Sequence, residues 1–144
     1  MVTVDRIQKK ELKELSLLYN QLGSSNLYIE KLNREFDKIA SNNNYFLLGI
    51  KENNRLIGSA LTIICLDLFN DCRPFMIVEN VVIDKENRHK GYGTILFNKI
   101  ENIAKRYNCY FIMLLSNKKR TKSHKFYKKI GYDNNSLGFK KYLS

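Results

Sequence analysis

The most constraining feature of this chain is a short basic turn with two glycines that joins a predicted strand to a predicted helix. Residues 75–83 are almost all apolar, and many are β-branched, which is typical of a strand buried on both faces. The apolar residues after the turn recur at spacings of three and four, as on one face of a helix; they are Leu96, Ile100, Ile103 and Tyr107. The turn itself reads Arg88-His89-Lys90-Gly91-Tyr92-Gly93-Thr94.

This glycine turn, residues 88–94, therefore lies at the N-terminus of a helix. The first backbone N–H groups of a helix have no partner within it, and the helix dipole favours negative charge there. Gly91 and Gly93 have no Cβ to keep phosphate oxygens away, and the three residues before them place basic side chains nearby. We therefore expect a phosphate-binding turn; the alternative is a tight turn without a ligand. Walker and dinucleotide-binding loops are excluded, because the turn lacks Gly-Lys-Ser/Thr and Leu96 stands where a third glycine is needed.

Two motifs resemble those of the GCN5-related N-acetyltransferases. That family has Arg/Gln-x-x-Gly-x-Gly/Ala between its fourth strand and third helix, and Arg88, Gly91 and Gly93 match it position by position. A second family block is aromatic-Tyr-x-x-x-Gly-Phe/Tyr, and the chain has Phe126-Tyr127-Lys128-Lys129-Ile130-Gly131-Tyr132. The resemblance extends from about residue 2 to the end of the chain. It implies a single N-acetyltransferase domain over residues 1–144.

The resemblance also implies a mixed α/β fold, with four helices flanking a central sheet whose fourth and fifth strands splay apart. The element order that we predict, β-α-α-β-β-β-α-β-α-β, agrees with that fold. Besides the helix after the glycine turn, which extends to about residue 107, we expect helices over 10–22, 29–40 and 118–130. Strands are expected over 2–7, 45–51, 56–66, 75–83 and 109–115, with a hairpin turn at Asn53-Asn54 and a polar break at 24–28. Tyr132 and residues 138–143 are expected to add one or two closing strands.

In the family, the glycine turn binds the pyrophosphate of acetyl-CoA through backbone amides, which implies that role for residues 88–94. The resemblance also implies that the pantetheine arm pairs with the exposed backbone of the fourth strand, here Val81, Val82 and Ile83. These side chains also suit core packing, and both roles can hold. Many members carry a cofactor-binding Asn seven residues before the tyrosine of the second block, and this chain has Arg120 there. The contact of that Asn with the cofactor therefore does not transfer to this chain. Arg120 is instead a candidate donor to the cofactor's phosphates. We expect no metal.

Acetyl transfer to an amine requires that the ammonium group lose a proton and that the leaving thiolate gain one. The family tyrosine of the second block lies beside the cofactor sulfur, so the resemblance implies that Tyr127 is the acid; the alternative for Tyr127 is core packing. Glu79 is the candidate base, because it is the only acid in an apolar strand, where a lone carboxylate is costly to bury. In several similar acetyltransferases, a glutamate nine residues before the motif's Arg/Gln contacts substrate or a water relay, and Glu79 has that spacing from Arg88.

Each of these acid and base candidates has an alternative. Glu79 is otherwise a strand glutamate paired with a nearby Lys or Arg. His124, three residues before Tyr127, either tunes the tyrosine phenol or lies on the helix surface.

The formal net charge of +11 raises the question of a nucleic-acid partner. The basic residues are, however, spread from Arg6 to Lys141, and we find no run of them alternating with stacking aromatic side chains, so we expect no nucleic acid. The densest run is Lys118-Lys119-Arg120-Thr121-Lys122. It is either a solvated helix face, or it lies near the cofactor's phosphates or an acidic partner.

The N-terminus is polar and no long apolar run is present, so we expect a cytoplasmic protein without a membrane partner. Cys65, Cys72 and Cys109 lack metal-ligand spacing, which favours reduced thiols, with Cys72 in a polar loop. At 144 residues the chain suits one domain, as a monomer or a homodimer.

The acceptor is expected to be a primary amine of a small molecule or peptide. In the family, the acceptor pocket involves the first two helices, the loop here at 67–74 and the end of the chain. Asp67, Asp71 and Glu30 are candidate partners of a cationic amine, or ordinary surface charges. Two other functions remain open at this point: a non-catalytic acyl-CoA sensor, and a basic RNA-binding or interaction domain.

Overall fold

A five-stranded mixed sheet organises the first part of the chain. The computed structural model describes residues 1–23 and 28–144, so the predicted polar break lies outside the described residues except for Tyr28. The strands are β1 (Val2–Arg6), β2 (Tyr45–Glu52), β3 (Arg55–Cys65), β4 (Phe75–Ile83) and β5 (Ile112–Met113). Their order in the sheet is their order in the chain; β1 to β4 pair antiparallel, and β5 joins β4 in parallel.

Four α-helices lie among the described residues. They are α1 (Leu12–Asn20), α2 (Ile29–Ala40), α3 (Tyr92–Arg106) and α4 (Thr121–Lys129). The chain divides into two compact units, Met1–Met113 and Leu114–Ser144, so that the first contains the sheet and α1 to α3, and the second contains α4. Within the described ranges, no helix combines the length and apolarity that a bilayer crossing requires.

Helices cover both faces of the sheet in the first unit. Leu12, Leu15 and Leu18 of α1 are buried at helical spacing and pack in one cluster with Leu47 and Val82. Each leucine contributes about 1.5–3 kcal/mol by leaving water, so this contact fixes α1 on the sheet.

The other face of the sheet carries α3. Ile50 and Ile57 cluster with Tyr92, the first residue of this helix. Leu47 and Ile50 stand three positions apart on β2, and strand side chains alternate between faces, so the two clusters lie on opposite sides of the sheet.

Several predicted elements are confirmed. β4 and α2 have the predicted bounds, β1 and β2 differ from theirs by one residue at one end, and β3 differs by one residue at each end. The hairpin turn between β2 and β3 has Asn53 and Asn54 at φ values of +50° and +66°, as a tight turn with two left-handed residues requires. Asparagine tolerates this conformation better than most residues because its short polar side chain bonds locally.

The bounds of two predicted helices were too wide. At the start of α1, the Gln8 N–H donates to Glu11 Oε2 (2.7 Å), and residues 9–11 form a 3₁₀ turn. Before α4, Asn117 Oδ1 and its carbonyl oxygen accept the N–H groups of Lys119 and Arg120, which holds a turn there instead of the helix predicted from residue 118.

The predictions for the last strands were wrong in extent or in kind. The strand expected over 109–115 has only two paired residues, because β5 pairs with β4 only at Ile112 and Met113. Tyr132 and residues 138–143 form no strand, although all of residues 131–144 are described. Alternation of apolar and polar residues indicates that a segment suits a pleated sheet, but a strand forms only beside a hydrogen-bonding neighbour. Gly138 also lowers the preference of this segment for a strand.

Candidate functional site

β4 changes its geometry just before the glycine turn. Between the pairs Ser59–Val82 and Leu61–Glu79, β3 contributes one residue and β4 contributes two, so β4 carries a bulge at residues 80 and 81. Asn80 adopts φ +54° there. Among the described residues, β5 pairs with β4 only at Met76 and Ile77, which leaves that side of β4 without a strand partner beyond Ile77.

The three predicted backbone contacts on β4 are not equivalent. The Asp84 N–H donates to Ile57 O (2.8 Å), so in the alternating antiparallel pattern Val82 also exchanges its hydrogen bonds with β3. Ile83 turns its N–H and C=O away from β3, and its carbonyl oxygen accepts a hydrogen bond from Arg88 Nε (2.9 Å). Val81 lies in the bulge. The buried side chain of Val82 packs under α1, which agrees with core packing.

The chain between β4 and the glycine turn is anchored by a buried carboxylate. Asp84, only 7% exposed, accepts a hydrogen bond from Gln21 Nε2 (3.1 Å) and forms an ion pair with Arg55 (3.4 Å). Gln21 Oε1 in turn accepts the Lys85 N–H (3.0 Å), and the Asp84 carbonyl oxygen accepts the Asn87 N–H (2.8 Å). The end of α1 and the start of β3 thus hold the approach to the turn.

The glycine turn presents unpaired backbone donors. Gly91 is the N-cap of α3 at φ +85°, and the first hydrogen bond of the helix runs from Ile95 N to Gly91 O (3.2 Å). The N–H groups of residues 91–94 therefore have no acceptor within the helix, and no side chain caps them. A Cβ built on Gly91 meets no atom within 4 Å, so the space beside it is open.

The side chains of the turn differ in their surroundings. Arg88, His89 and Lys90 are exposed, and none forms an ion pair with any of the described residues. Arg88 nevertheless uses its Nε on the Ile83 carbonyl, so only the outer nitrogens of its guanidinium remain for an anion. Thr94 is exposed and Gly93 is half-buried.

Tyr92 faces inward. Its ring is buried against Ile50 and Ile57, and its hydroxyl donates a hydrogen bond to Glu52 Oε1. This hydrogen bond raises the pKa of Tyr92, since ionisation would set two negative charges side by side; desolvation raises it further. Tyr92 can therefore contribute to a ligand site only through its backbone N–H, while its side chain ties α3 to β2.

Glu79 is half-buried on β4, opposite Leu61. Leu61 packs on the α1 cluster, and paired residues of neighbouring strands share a face, so Glu79 lies on the α1 and α2 side of the sheet. No Lys or Arg in the described part of the chain forms an ion pair with it. The structure therefore does not support the paired strand glutamate that was the alternative.

Tyr127 lies in the second unit, half-buried on α4. Its ring packs edge-on against Phe126 (5.4 Å between centroids) and Tyr132 (6.0 Å). Burial raises the pKa of the Tyr127 hydroxyl, and the positive charge of Arg120 opposes this rise. A phenol with a raised pKa keeps its proton at neutral pH, which a general acid requires.

The other candidates of the second unit have structural contacts of their own. His124 Nε2 lies 2.8 Å from the Asn117 carbonyl oxygen, which favours the surface role over tuning of Tyr127. Arg120 is exposed and precedes α4 as its N-cap. Gly131, at φ +99°, follows the end of α4.

The remaining candidate residues are three acids and three cysteines. Asp67 Oδ1 accepts the Phe69 N–H (3.1 Å) within the loop between β3 and β4, and Asp71 and Glu30 are exposed. All three cysteines are free, and Cys72 is the exposed one.

Sequence reasoning missed four residues that hold the turn in place: Gln21, Glu52, Arg55 and Asp84. Their partners lie 29 to 64 residues away in the chain, so no local pattern signals them. Only the position of Asp84, a carboxylate directly after an apolar strand, offered a hint.

Comparisons with known proteins agree on one family. The model of the acetyltransferase (GNAT) family matches residues 10–132. A GNAT family acetyltransferase of Staphylococcus aureus is 28% identical, with 99% of this chain and 98% of that chain covered and a TM-score of 0.80. A protein of Agrobacterium tumefaciens inferred to be an acetyltransferase is 25% identical (98% and 99% covered, TM-score 0.92).

A more distant structure, glucosamine-6-phosphate N-acetyltransferase from Arabidopsis thaliana, is 21% identical and shares the fold, with 100% and 99% of the two chains covered and a TM-score of 0.90. A search of curated proteins finds no match.

Proposed function

Because the chain belongs to the GNAT acetyltransferase family, we propose that it transfers the acetyl group of acetyl-CoA directly to a primary amine of a small molecule or peptide, within a ternary complex. The observation that carries this proposal is the glycine turn. Among the described residues, its backbone N–H groups at residues 91–94 have no acceptor, they face open space at Gly91, and they follow a strand with one unpaired side. This arrangement suits an anionic ligand with an extended arm.

The turn fits the diphosphate of acetyl-CoA in shape and charge. Gly91 leaves room where a side chain would stand, the N–H groups of Gly91, Tyr92, Gly93 and Thr94 are available as donors, and His89 and Lys90 add positive charge. Arg88 contributes through its outer guanidinium nitrogens. Arg120 remains a candidate for the cofactor's phosphates because it is exposed and has no ion-pair partner among the described residues.

The pantetheine arm is proposed to pair with Val81 and Ile83 more than with Val82. The backbone groups of Val82 already bond to β3, whereas the N–H of Ile83 points to the unpaired side of β4; its carbonyl oxygen on that side accepts Arg88 Nε. An added strand gains its affinity from such unpaired main-chain groups. The resemblance implied all three residues as contacts of the pantetheine arm, whereas the sheet register favours Val81 and Ile83 over Val82.

Acetyl-CoA supplies an activated acetyl group as a thioester, and the protein's side chains are needed for proton transfers. Glu79 is proposed to take the proton of the acceptor ammonium, directly or through a water, because its carboxylate has no cation bound to it in the described residues. Tyr127 is proposed to give its proton to the leaving thiolate, because its hydroxyl still carries that proton at neutral pH. Glu79 and Tyr127 would each exchange a proton with the reacting atoms, so both are proposed as catalytic residues.

We further propose that residues 1–144 act as one cytoplasmic domain, as a monomer or a homodimer. The family model spans both compact units, which supports a single functional domain. The three free cysteines are compatible with a reducing compartment.

The test is release of free thiol from acetyl-CoA in the presence of a panel of amines that includes polyamines, amino acid derivatives, aminoglycosides and peptides. We expect at least one amine to give saturable release together with stoichiometric acetylated product, detected by mass spectrometry. Saturable acetyl-CoA binding without product from any amine would favour a sensor over an enzyme. Absence of acetyl-CoA binding would contradict the proposal outright.

A further inference from the structure

Positive charge is divided very unevenly between the two compact units. Residues 114–144 contain nine Lys and Arg residues and a single acidic residue, Asp133, so they carry +8 of the formal +11. Residues 1–113 carry the remaining +3. The spread of basic residues along the chain hides this asymmetry, because the acidic residues are concentrated in the first unit.

Four lysines of α4 form one face of the helix. Because successive residues of an α-helix are rotated by about 100° around its axis, these four positions fall within an arc of about 120°. All four are exposed, and the opposite side is half-buried. The members of this lysine face are Lys122, Lys125, Lys128 and Lys129.

The lysine face costs the free protein stability. Like charges three and four positions apart on a helix repel each other. Lys122 also stands in the first turn, which contains no acidic residue, although the helix dipole disfavours a cation there. An anionic partner would offset both effects.

No carboxylate within the described residues neutralises the face. The four ion pairs found there all lie between residues 9 and 84. Asp133, the one acidic residue of the second unit, accepts the Asn135 N–H (3.2 Å). The positive charge of this unit is therefore available to an external anion.

The same unit exposes two aromatic rings next to a lysine pair. Phe139 is 88% exposed and Tyr142 is 83% exposed, and they flank Lys140-Lys141 in a segment without helix or strand. Basic residues combined with exposed aromatic rings are the features by which proteins hold single-stranded nucleic acid, with cations on phosphates and rings stacked on bases. A second copy of this chain does not suit the surface, because it carries the same excess of positive charge.

We propose that the lysine face, together with Phe139 and Tyr142, binds single-stranded nucleic acid without strong sequence preference. This proposal replaces our expectation of no nucleic-acid partner, which did not take into account the concentration of charge in one unit or the exposure of the two rings. The surface is independent of the proposed acetyl transfer and is expected to bind without acetyl-CoA.

The test uses the full chain and fluorescein-labelled 12-nucleotide oligo-U and oligo-dT, with fluorescence anisotropy read from 50 to 300 mM salt. We expect saturable binding that weakens with salt. Lys122→Gln/Lys125→Gln should weaken it about tenfold at 50 mM salt and lower the slope of log Kd against log salt by about 1.4, since each phosphate contact on a single strand contributes about 0.7. The control Lys13→Gln/Lys31→Gln removes the same charge from exposed positions of α1 and α2 and should change the affinity less than twofold.

Phe139→Ala/Tyr142→Ala tests stacking separately. It should weaken binding about fivefold or more and leave the salt slope unchanged, because it removes no charge. Circular dichroism melts of all three variants establish that each is folded. Equal affinity for oligo-U and oligo-dT would show that the surface binds single strands of either kind. A preference for oligo-U would show that it binds RNA.

Several outcomes would overturn the proposal. Equal weakening by the control pair would mean that net charge alone attracts the oligonucleotide. Stronger binding to polyglutamate or to phosphatidylserine vesicles, at equal charge, would assign the lysine face to an acidic protein or to a membrane. Displacement of the oligonucleotide by an equimolar amount of CoA would assign it to the cofactor's phosphates.

Discussion

Glu79 and Tyr127 show what a single position in the sequence can and cannot reveal. Glu79 was identifiable as an isolated acid in an apolar strand, and the structure leaves it half-buried without an ion-pair partner among the described residues. Tyr127 was identifiable only through its motif. Its burial, which raises its pKa, comes from packing that no local pattern specifies. The proposed base was thus identifiable from its position in an apolar strand, and the proposed acid from resemblance.

Replacement of Tyr127 by Phe removes only the hydroxyl group. We expect kcat to fall about 100-fold or more, because general acids contribute about 10²- to 10⁴-fold, while the KM for acetyl-CoA changes little. Steady-state thiol release measures both constants. Tyr132→Phe is the matched control, since its ring packs 6.0 Å from Tyr127 in the same aromatic cluster. Unchanged turnover in Tyr127→Phe at every pH would remove the tyrosine from the acid role.

Glu79→Gln tests the proposed base. The amide keeps the size of the side chain but does not accept a proton, so we expect kcat/KM for the amine to fall about 100-fold near neutral pH. The loss should shrink as the pH rises and the free amine becomes abundant. The control Glu101→Gln removes the same charge from another half-buried glutamate and should leave the profile unchanged. A pH-rate profile of Glu79→Gln that coincides with the parent would show that another group, or bulk water, takes the proton.

At the scale of elements, the sequence predicted those parts of the fold that have strong local signals. The α2 periodicity, the apolar β4 run and the two asparagines of the hairpin each specify their element within a few residues, and each was confirmed. The bulge of β4 escaped prediction because Asn80 is compatible with either a regular strand or a left-handed residue. The prediction of closing strands was wrong because a strand forms only beside a hydrogen-bonding neighbour, and the local alternation of residues does not indicate whether one is present.

The glycine turn is an element whose function can be separated from its folding. Gly91 and Gly131 both have positive φ, +85° and +99°, and a Cβ at either position meets no atom within 4 Å. Gly91→Ala and Gly131→Ala should therefore each cost about 1 kcal/mol of stability through backbone strain, or about 3–5 °C in Tm.

Only Gly91→Ala is expected to raise the KM for acetyl-CoA, by about tenfold or more, because its methyl group displaces phosphate from one or two charged hydrogen bonds. Thermal melts and initial rates at varied acetyl-CoA give the two quantities. Equal effects of both substitutions on KM would mean that strain, and not phosphate contact, explains the result.

At the scale of the whole molecule, sequence reasoning failed for contacts between distant elements. Gln21 reaches Asp84 across 63 residues, and Tyr92 reaches Glu52 across 40. These polar pairs hold α3 and the glycine turn against the sheet, yet each residue alone resembles an ordinary surface residue. The family resemblance predicted that the turn exists, whereas only the structure shows what fixes it in place.

The buried phenols and thiols make the stability of the molecule sensitive to alkali. Burial raises the pKa of Tyr19 and Tyr127 above the ordinary value of 10.0, and a hydrogen bond to Glu52 raises that of Tyr92. Burial also raises the pKa of Cys65 and Cys109 above 9.0. The folded state therefore holds these protons at a pH where the unfolded chain releases them. Their contribution to stability is complete below about pH 9 and is lost as the pH rises through the folded values.

We expect Tm to stay level between pH 8 and 9 and to fall steeply from pH 9 to 11. Tyr19→Phe should flatten this fall, because Phe has no proton to lose. Tyr142→Phe, at an 83% exposed position, is the control and should follow the parent curve. A fall of the same steepness in Tyr19→Phe, measured by calorimetry at each pH, would show that alkaline unfolding arises from groups other than this buried phenol.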